Sequence, residues 1–130
     1  MNLPERFPSD DPREWMNRAR SDLTQAKNQV PGVYLENLCF NAQQAAEKAI
    51  KGVMIARDIE FPYVHDLARL LSLLIEVGES IPAAISRASV LTKYATITRC
   101  PGEIRPVSEA EYQEAIAIAE AVVQWAEEQI

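Results

Sequence analysis

One histidine and a short cationic stretch are the parts of this 130-residue chain whose residue types could do chemistry. His65 stands in Tyr63-Val64-His65-Asp66-Leu67, just where a helix is expected to begin. An imidazole there could serve as a general base or as a phosphate ligand at the helix N-terminus. The plainer alternative is that His65 or Asp66 only caps that helix. The stretch from Lys93 to Arg105 places Lys93, Tyr94, Arg99 and Arg105 at the end of a helix and in the loop after it. Two guanidinium forks and a phenol on one loop suit a phosphate or nucleotide clamp. Arginines at a helix C-terminus also have a structural use, bonding the last carbonyls and countering the dipole. Lys48 and Lys51, with Gln44 beside them, could present further cations to a phosphate. Glu47 and Lys51 are an i,i+4 pair in the favourable orientation, which points instead to a solvated face. No Gly-rich phosphate loop, HExxH pattern or EF-hand pattern occurs. Cys39 and Cys100 form no CxxC pair, and with a single His no zinc site of Cys and His is expected. We therefore expect no metal, no cofactor and no catalytic residue set.

The elements that must position these residues read as helices. Asp11-Pro12-Arg13-Glu14 has the form of a capping box with proline in the first turn, and Trp15, Ala19, Leu23, Ala26 and Val30 follow at helical spacing. A second helix, about 34–57, carries Leu35, Leu38, Cys39, Ala42, Ala45, Ala46, Ala49, Ile50 and Val53 on one arc. Its alanines, with Gly52 at the edge of the arc, would let neighbours approach closely. A third runs from His65-Asp66 through Leu67, Leu70, Leu71, Leu74 and Ile75 to Gly78, a left-handed stop. A fourth opens with Ser80 as cap and Pro82 in the first turn, and bears Ile81, Ile85, Ala88, Leu91 and Ala95. A fifth follows the box Ser108 to Glu111 with Tyr112, Ala115, Ile116, Ala119, Val123 and Ala126. No strand alternation is present. The expected fold is all-α, an up-and-down bundle of four to five helices, with residues 1–10 a polar leader and 11–130 one domain.

Two helices carry apolar residues beyond one stripe: Val90 and Ile97 on the fourth, and Ile118, Val122 and Trp125 on the fifth. Either they pack on a neighbour or the leader, or Val90, Ile97, Ile118 and Trp125 form a two-fold dimer surface.

The net charge of −6 lies wholly in residues 106–130, which hold six acids and no base, while residues 1–105 balance thirteen of each. Non-specific coating of nucleic acid needs a basic surface, so that function class is disfavoured. No window reaches the ~20 apolar residues of a membrane span, and the first residues lack a signal-peptide core. A cytoplasmic protein is expected, without membrane partners.

Trp15…Ala19-Arg20-Ser21-Asp22-Leu23, then Cys39-Phe40-Asn41-Ala42-Gln43-Gln44-Ala45-Ala46-Glu47-Lys48-Ala49-Ile50-Lys51, resembles the HEPN family, the higher-eukaryote and prokaryote nucleotide-binding domain. His65-Asp66-Leu67 with Leu70-Leu71, and Tyr94…Arg99-Cys100-Pro101-Gly102, match the rest in order over about 13–128. The resemblance implies a compact helical bundle, often dimeric, often encoded beside a minimal nucleotidyltransferase as a toxin–antitoxin or binding-subunit pair. Many such toxins are metal-independent ribonucleases with an Arg-x(4–6)-His motif. This chain departs from it: Arg57 has seven residues between it and His65, and Arg105 stands where a His would follow Arg99. The reading is a non-catalytic HEPN module that binds nucleotide or phosphate, dimerises and partners a nucleotidyltransferase. Lys93, Tyr94, Arg99 and Arg105 are its main contacts, with His65, Lys48 and Lys51 as lesser ones. The alternatives are a divergent HEPN ribonuclease acting on RNA and a pure protein-interaction domain.

Overall fold

The computed structural model describes residues 2–96 and 106–130. They form five α-helices and one 3-10 helix, with no strand among the described residues: α1 Pro12–Ala26, α2 Leu35–Ala56, α3 Leu67–Glu76, α4 Ala83–Ser86, the 3-10 helix Arg87–Thr96, and α5 Glu109–Gln129. The helical ends are set locally. Asp11 caps α1 by accepting from the Arg13 amide, and Ser108 and Glu111 form a complete capping box on α5. Glu14 does not close the box expected at α1; its carboxylate accepts instead from the Phe7 amide at 2.9 Å. Gly78, at φ +96°, ends α3 with amide bonds from Gly78 to Ile75 and from Glu79 to Leu74. The same motif ends α2, but with Asp58 in the left-handed position at φ +55° and the Ile59 amide on the Met54 carbonyl.

α2 is the axis of the bundle. It packs against α1, α3, α5 and the 3-10 helix, and its arc of small residues, Ala42, Ala45, Ala46 and Ala49, is fully buried. At Gly52 α1 approaches closely: a Cβ there would lie 3.2 Å from Trp15 Cβ. Along α1, Met16 rather than Trp15 fills the core, and Val30 lies beyond the helix and is exposed. Ile75, placed on the α3 stripe by spacing, is also exposed, since it stands on the side of a ten-residue helix that meets no neighbour. The expected long fourth helix is one α-turn followed by 3-10 winding, and Pro82, not Ser80, occupies its cap position.

Residues 2–10 are not a detached leader. Trp15 Nε1 donates to the Ser9 carbonyl at 2.7 Å and Asn17 Nδ2 to the Glu5 carbonyl at 2.7 Å, while the Arg13 guanidinium stacks 4.0 Å over the Phe7 ring. With the Phe7–Glu14 bond, these hold the segment as a strap along α1.

Candidate functional site

Gln43, Glu47 and Lys51 recur every fourth residue on α2, and all three are buried. This corrects the expectation of a solvated face: the chain from Phe61 to Leu67 crosses the line and covers it. Glu47 Oε1 accepts from Gln43 Nε2 at 2.9 Å and lies 2.9 Å from His65 Nδ1, while Oε2 accepts from Lys51 Nζ at 3.0 Å. Gln43 also reaches the His65 carbonyl at 3.4 Å and accepts from Gln44. Lys51 Nζ stands 5.2 Å over the Phe61 ring. Burial raises the Glu47 pKa, but Gln43, His65 and Lys51 together more than offset it, so the group sits below the usual carboxylate range. An ionised carboxylate only accepts, so His65 Nδ1 is the protonated nitrogen and Nε2 is left as the second edge of a half-exposed ring. That is a carboxylate–imidazole dyad.

The helix N-terminus beside His65 is not an anion site. Asp66 accepts from the Ala68 and Arg69 amides, and the Leu67 amide donates to Thr92 Oγ1 at 3.2 Å. Arg57 is also committed, with Nε on Glu79 at 2.6 Å and a terminal nitrogen on the Gln129 carbonyl at 2.9 Å. It ties the ends of α2 and α5 together.

Of the main predicted clamp, Arg99 and Arg105 lie outside the described residues, as does the interface candidate Ile97. Lys93 is exposed, its Nζ 5.2 Å over the Tyr94 ring. Tyr94 itself is in the core at 3% exposure, beside Cys39. Burial, with Cys39 and Glu111 adding to it, pushes its phenol up to about 12, and burial pushes the Cys39 thiol up to about 11. Lys93 and Tyr94 border a small cavity of about 90 Å³ that Glu111 and Glu114 also line. A buried neutral phenol with two carboxylates across from it is poorly placed to meet an anion. Ile118 and Trp125 are likewise inside the single chain, at 3% and 7% exposure. Their part of the surface expectation gives way to packing within the bundle, and Val90 alone of the four is exposed among the described residues.

Lys48 is different. Its Nζ bonds Asp22 Oδ2 at 2.6 Å, and it lines a cavity of about 320 Å³ with Leu3, Pro4, Arg6, Glu14, Asn17, Arg18, Ser21 and Asp22. Arg18 Nε bonds Glu14 at 2.8 Å, and Arg6 approaches the same carboxylate at 3.9 Å. The Phe7 amide first, then Arg18 and Arg6, hold Glu14 below the usual carboxylate range against the opposing effect of burial. Sequence reasoning missed Arg6 and Arg18. The signal was present for the second: Glu14, Asn17, Arg18, Ser21 and Asp22 recur at three and four residues, a polar stripe on α1.

Among known proteins, the HEPN domain family model matches residues 12–129 of the chain. The chain is similar to the crystal structure of TT1696 from Thermus thermophilus, at 33% identity and a TM-score of 0.79, over 92% of this chain and 98% of that one. It is also similar to ST0689, described as an archaeal HEPN homologue, at 32% identity and a TM-score of 0.74, over 92% and 97% of the two chains. No curated protein matches it. No group of three or more metal-ligating side chains occurs among the described residues, and none of the described helices is long and apolar enough to cross a membrane.

Proposed function

The chain belongs to the HEPN family, and from that premise we propose that it is a non-catalytic module that binds a nucleotide or phosphate and partners a minimal nucleotidyltransferase in a toxin–antitoxin pair. The observation that carries the binding half is the cavity that Lys48 shares with Arg6 and Arg18. Cations that converge on one depression supply the charge-assisted bonds a phosphate needs. The emphasis thereby moves from Tyr94, which is buried, to the α1–α2 side of the bundle. Titrating ATP, GTP and a short RNA into the protein by calorimetry tests it; heat that is reduced in Lys48→Ala supports the reading, and no heat with any of them removes it. The partner half rests on family membership. Sedimentation of the chain alone and with a minimal nucleotidyltransferase encoded beside it is expected to show a homodimer and then a mixed complex. A monomer that ignores that protein would end this half.

A second reading, a divergent ribonuclease, is favoured by one specific observation. His65 is fixed through Nδ1 by an ionised, buried Glu47 and keeps Nε2 for proton transfer, as a general base requires. Incubating RNA with the protein and with His65→Ala decides it: cleavage lost in the variant supports the enzyme, and intact RNA with both excludes it.

A further inference from the structure

We infer that the cavity beneath the strap seats the phosphate end of a single nucleotide, a phosphomonoester carrying one base, with the strap forming the wall for the base. The inference rests on the nucleotide-binding reading above and names the ligand class and the second half of its site.

Three ion pairs border this cavity, and in each the carboxylate is the more buried member. The Arg6 and Arg18 side chains are 76% and 57% exposed against 7% for Glu14, and Lys48 is 28% exposed against 16% for Asp22. What a ligand meets is therefore cationic, although the acids lie just below. Glu14 is occupied by the Phe7 amide and by Arg18 Nε. An Nε contact leaves the terminal nitrogens of a guanidinium for a ligand, and those donors fork a phosphate. Ser21 lines the same wall and offers a hydroxyl.

Part of the lining is apolar. Leu3 and Pro4 line the cavity, and Leu3 is 77% exposed, so a planar ring laid against it would remove apolar surface from water. The strap is fixed there by Asn17 Nδ2 on the Glu5 carbonyl. A volume of about 320 Å³ is at the small end for ligand pockets and suits one nucleotide rather than a strand. A free mononucleotide and the 5′-terminal nucleotide of an RNA present the same chemistry.

Calorimetric titration of the full chain with 5′-AMP, adenosine, inorganic phosphate, and a short RNA with a 5′-phosphate or a 5′-hydroxyl tests the site. AMP is expected to bind, adenosine not at all, and phosphate more weakly. Binding of the phosphorylated RNA but not its hydroxyl form identifies strand ends as a source; binding of AMP alone identifies the free nucleotide. Arg18→Ala should weaken AMP at least about tenfold, the loss of a charge-assisted bond. Ser21→Asp should do the same by repulsion without removing a member of any ion pair, which covers the case of an unstable Arg18→Ala. Leu3→Ala should weaken AMP but not phosphate. Wild-type affinity for AMP in both Arg18→Ala and Ser21→Asp would overturn the site and leave the nucleotide reading standing. An unchanged Leu3→Ala would overturn the strap's role. No binding of any phosphate by the wild type would overturn both readings together.

Discussion

Removing the Glu47 carboxylate probes the buried line on α2. In Glu47→Ala, the Lys51 side chain, 9% exposed, is left without its carboxylate partner, and the Phe61 ring at 5.2 Å remains beside it. Gln43 Nε2 and His65 Nδ1 each lose an acceptor. Breaking one side of a buried ion pair costs about 3–5 kcal/mol, and the Phe61 contact, present before and after the substitution, offsets none of it. The loss should be about 3–5 kcal/mol, a fall in Tm of roughly 9–25 °C for a domain of this size. Replacing both charges, Glu47→Leu with Lys51→Met, removes the unpaired lysine too and should cost about 1–2 kcal/mol, for the Gln43 amide that still lacks its acceptor. Urea unfolding followed by helical circular dichroism measures Glu47→Ala, and the same assay on the wild type, Glu47→Leu, Lys51→Met and the double variant gives the cycle. Because the folded-state pKa of Glu47 is lowered, its contribution is complete above the ordinary carboxylate range and is lost as pH falls. The gap between wild type and Glu47→Gln should therefore be steady near neutrality and close below about pH 4. A loss under about 1 kcal/mol in Glu47→Ala, or a double variant as unstable as the two singles summed, would refute the reasoning.

Four further outcomes are expected. Gly52→Val should destabilise by about 1–3 kcal/mol in the same assay, because the added atoms meet Trp15 Cβ, which cannot yield without moving α1. Asp58→Gly should stabilise by about 1 kcal/mol, seen as a higher urea midpoint, since glycine takes the left-handed conformation without strain. Ser108→Ala should cost about 1 kcal/mol and fray α5 in amide exchange, through loss of the capping box. In a Cys100→Ser background, iodoacetamide at pH 8 should label Cys39 only as fast as the protein opens, because burial keeps the thiol protonated to about pH 11.

The all-helical fold was legible because its causes are local. Apolar residues at three- and four-residue spacing, Asp11 and Ser108 at the caps, and Gly78 at a left-handed stop need no knowledge of distant residues. The Ala-rich arc of α2 announced close packing for the same reason, and Gly52 sits at the contact it suggested. The α2 terminus at Asp58 was harder, since an aspartate in the left-handed position carries no glycine to mark it.

What sequence could not decide is which neighbour covers each polar side chain. Glu47 and Lys51 have the spacing of a solvated pair; they are buried because the segment around Phe61 folds over them, and His65 joins them from 18 residues away. Tyr94 stands at the end of a helix like an exposed clamp residue, yet the packing of α2 and α5 encloses it. Arg6 reads as part of a polar leader, and the contacts of Trp15, Asn17, Glu14 and Arg13 with that segment bring it beside Arg18 and Lys48. Periodicity fixes which residues share a helix face, but whether that face meets water, a carboxylate or another helix depends on contacts between residues far apart along the chain.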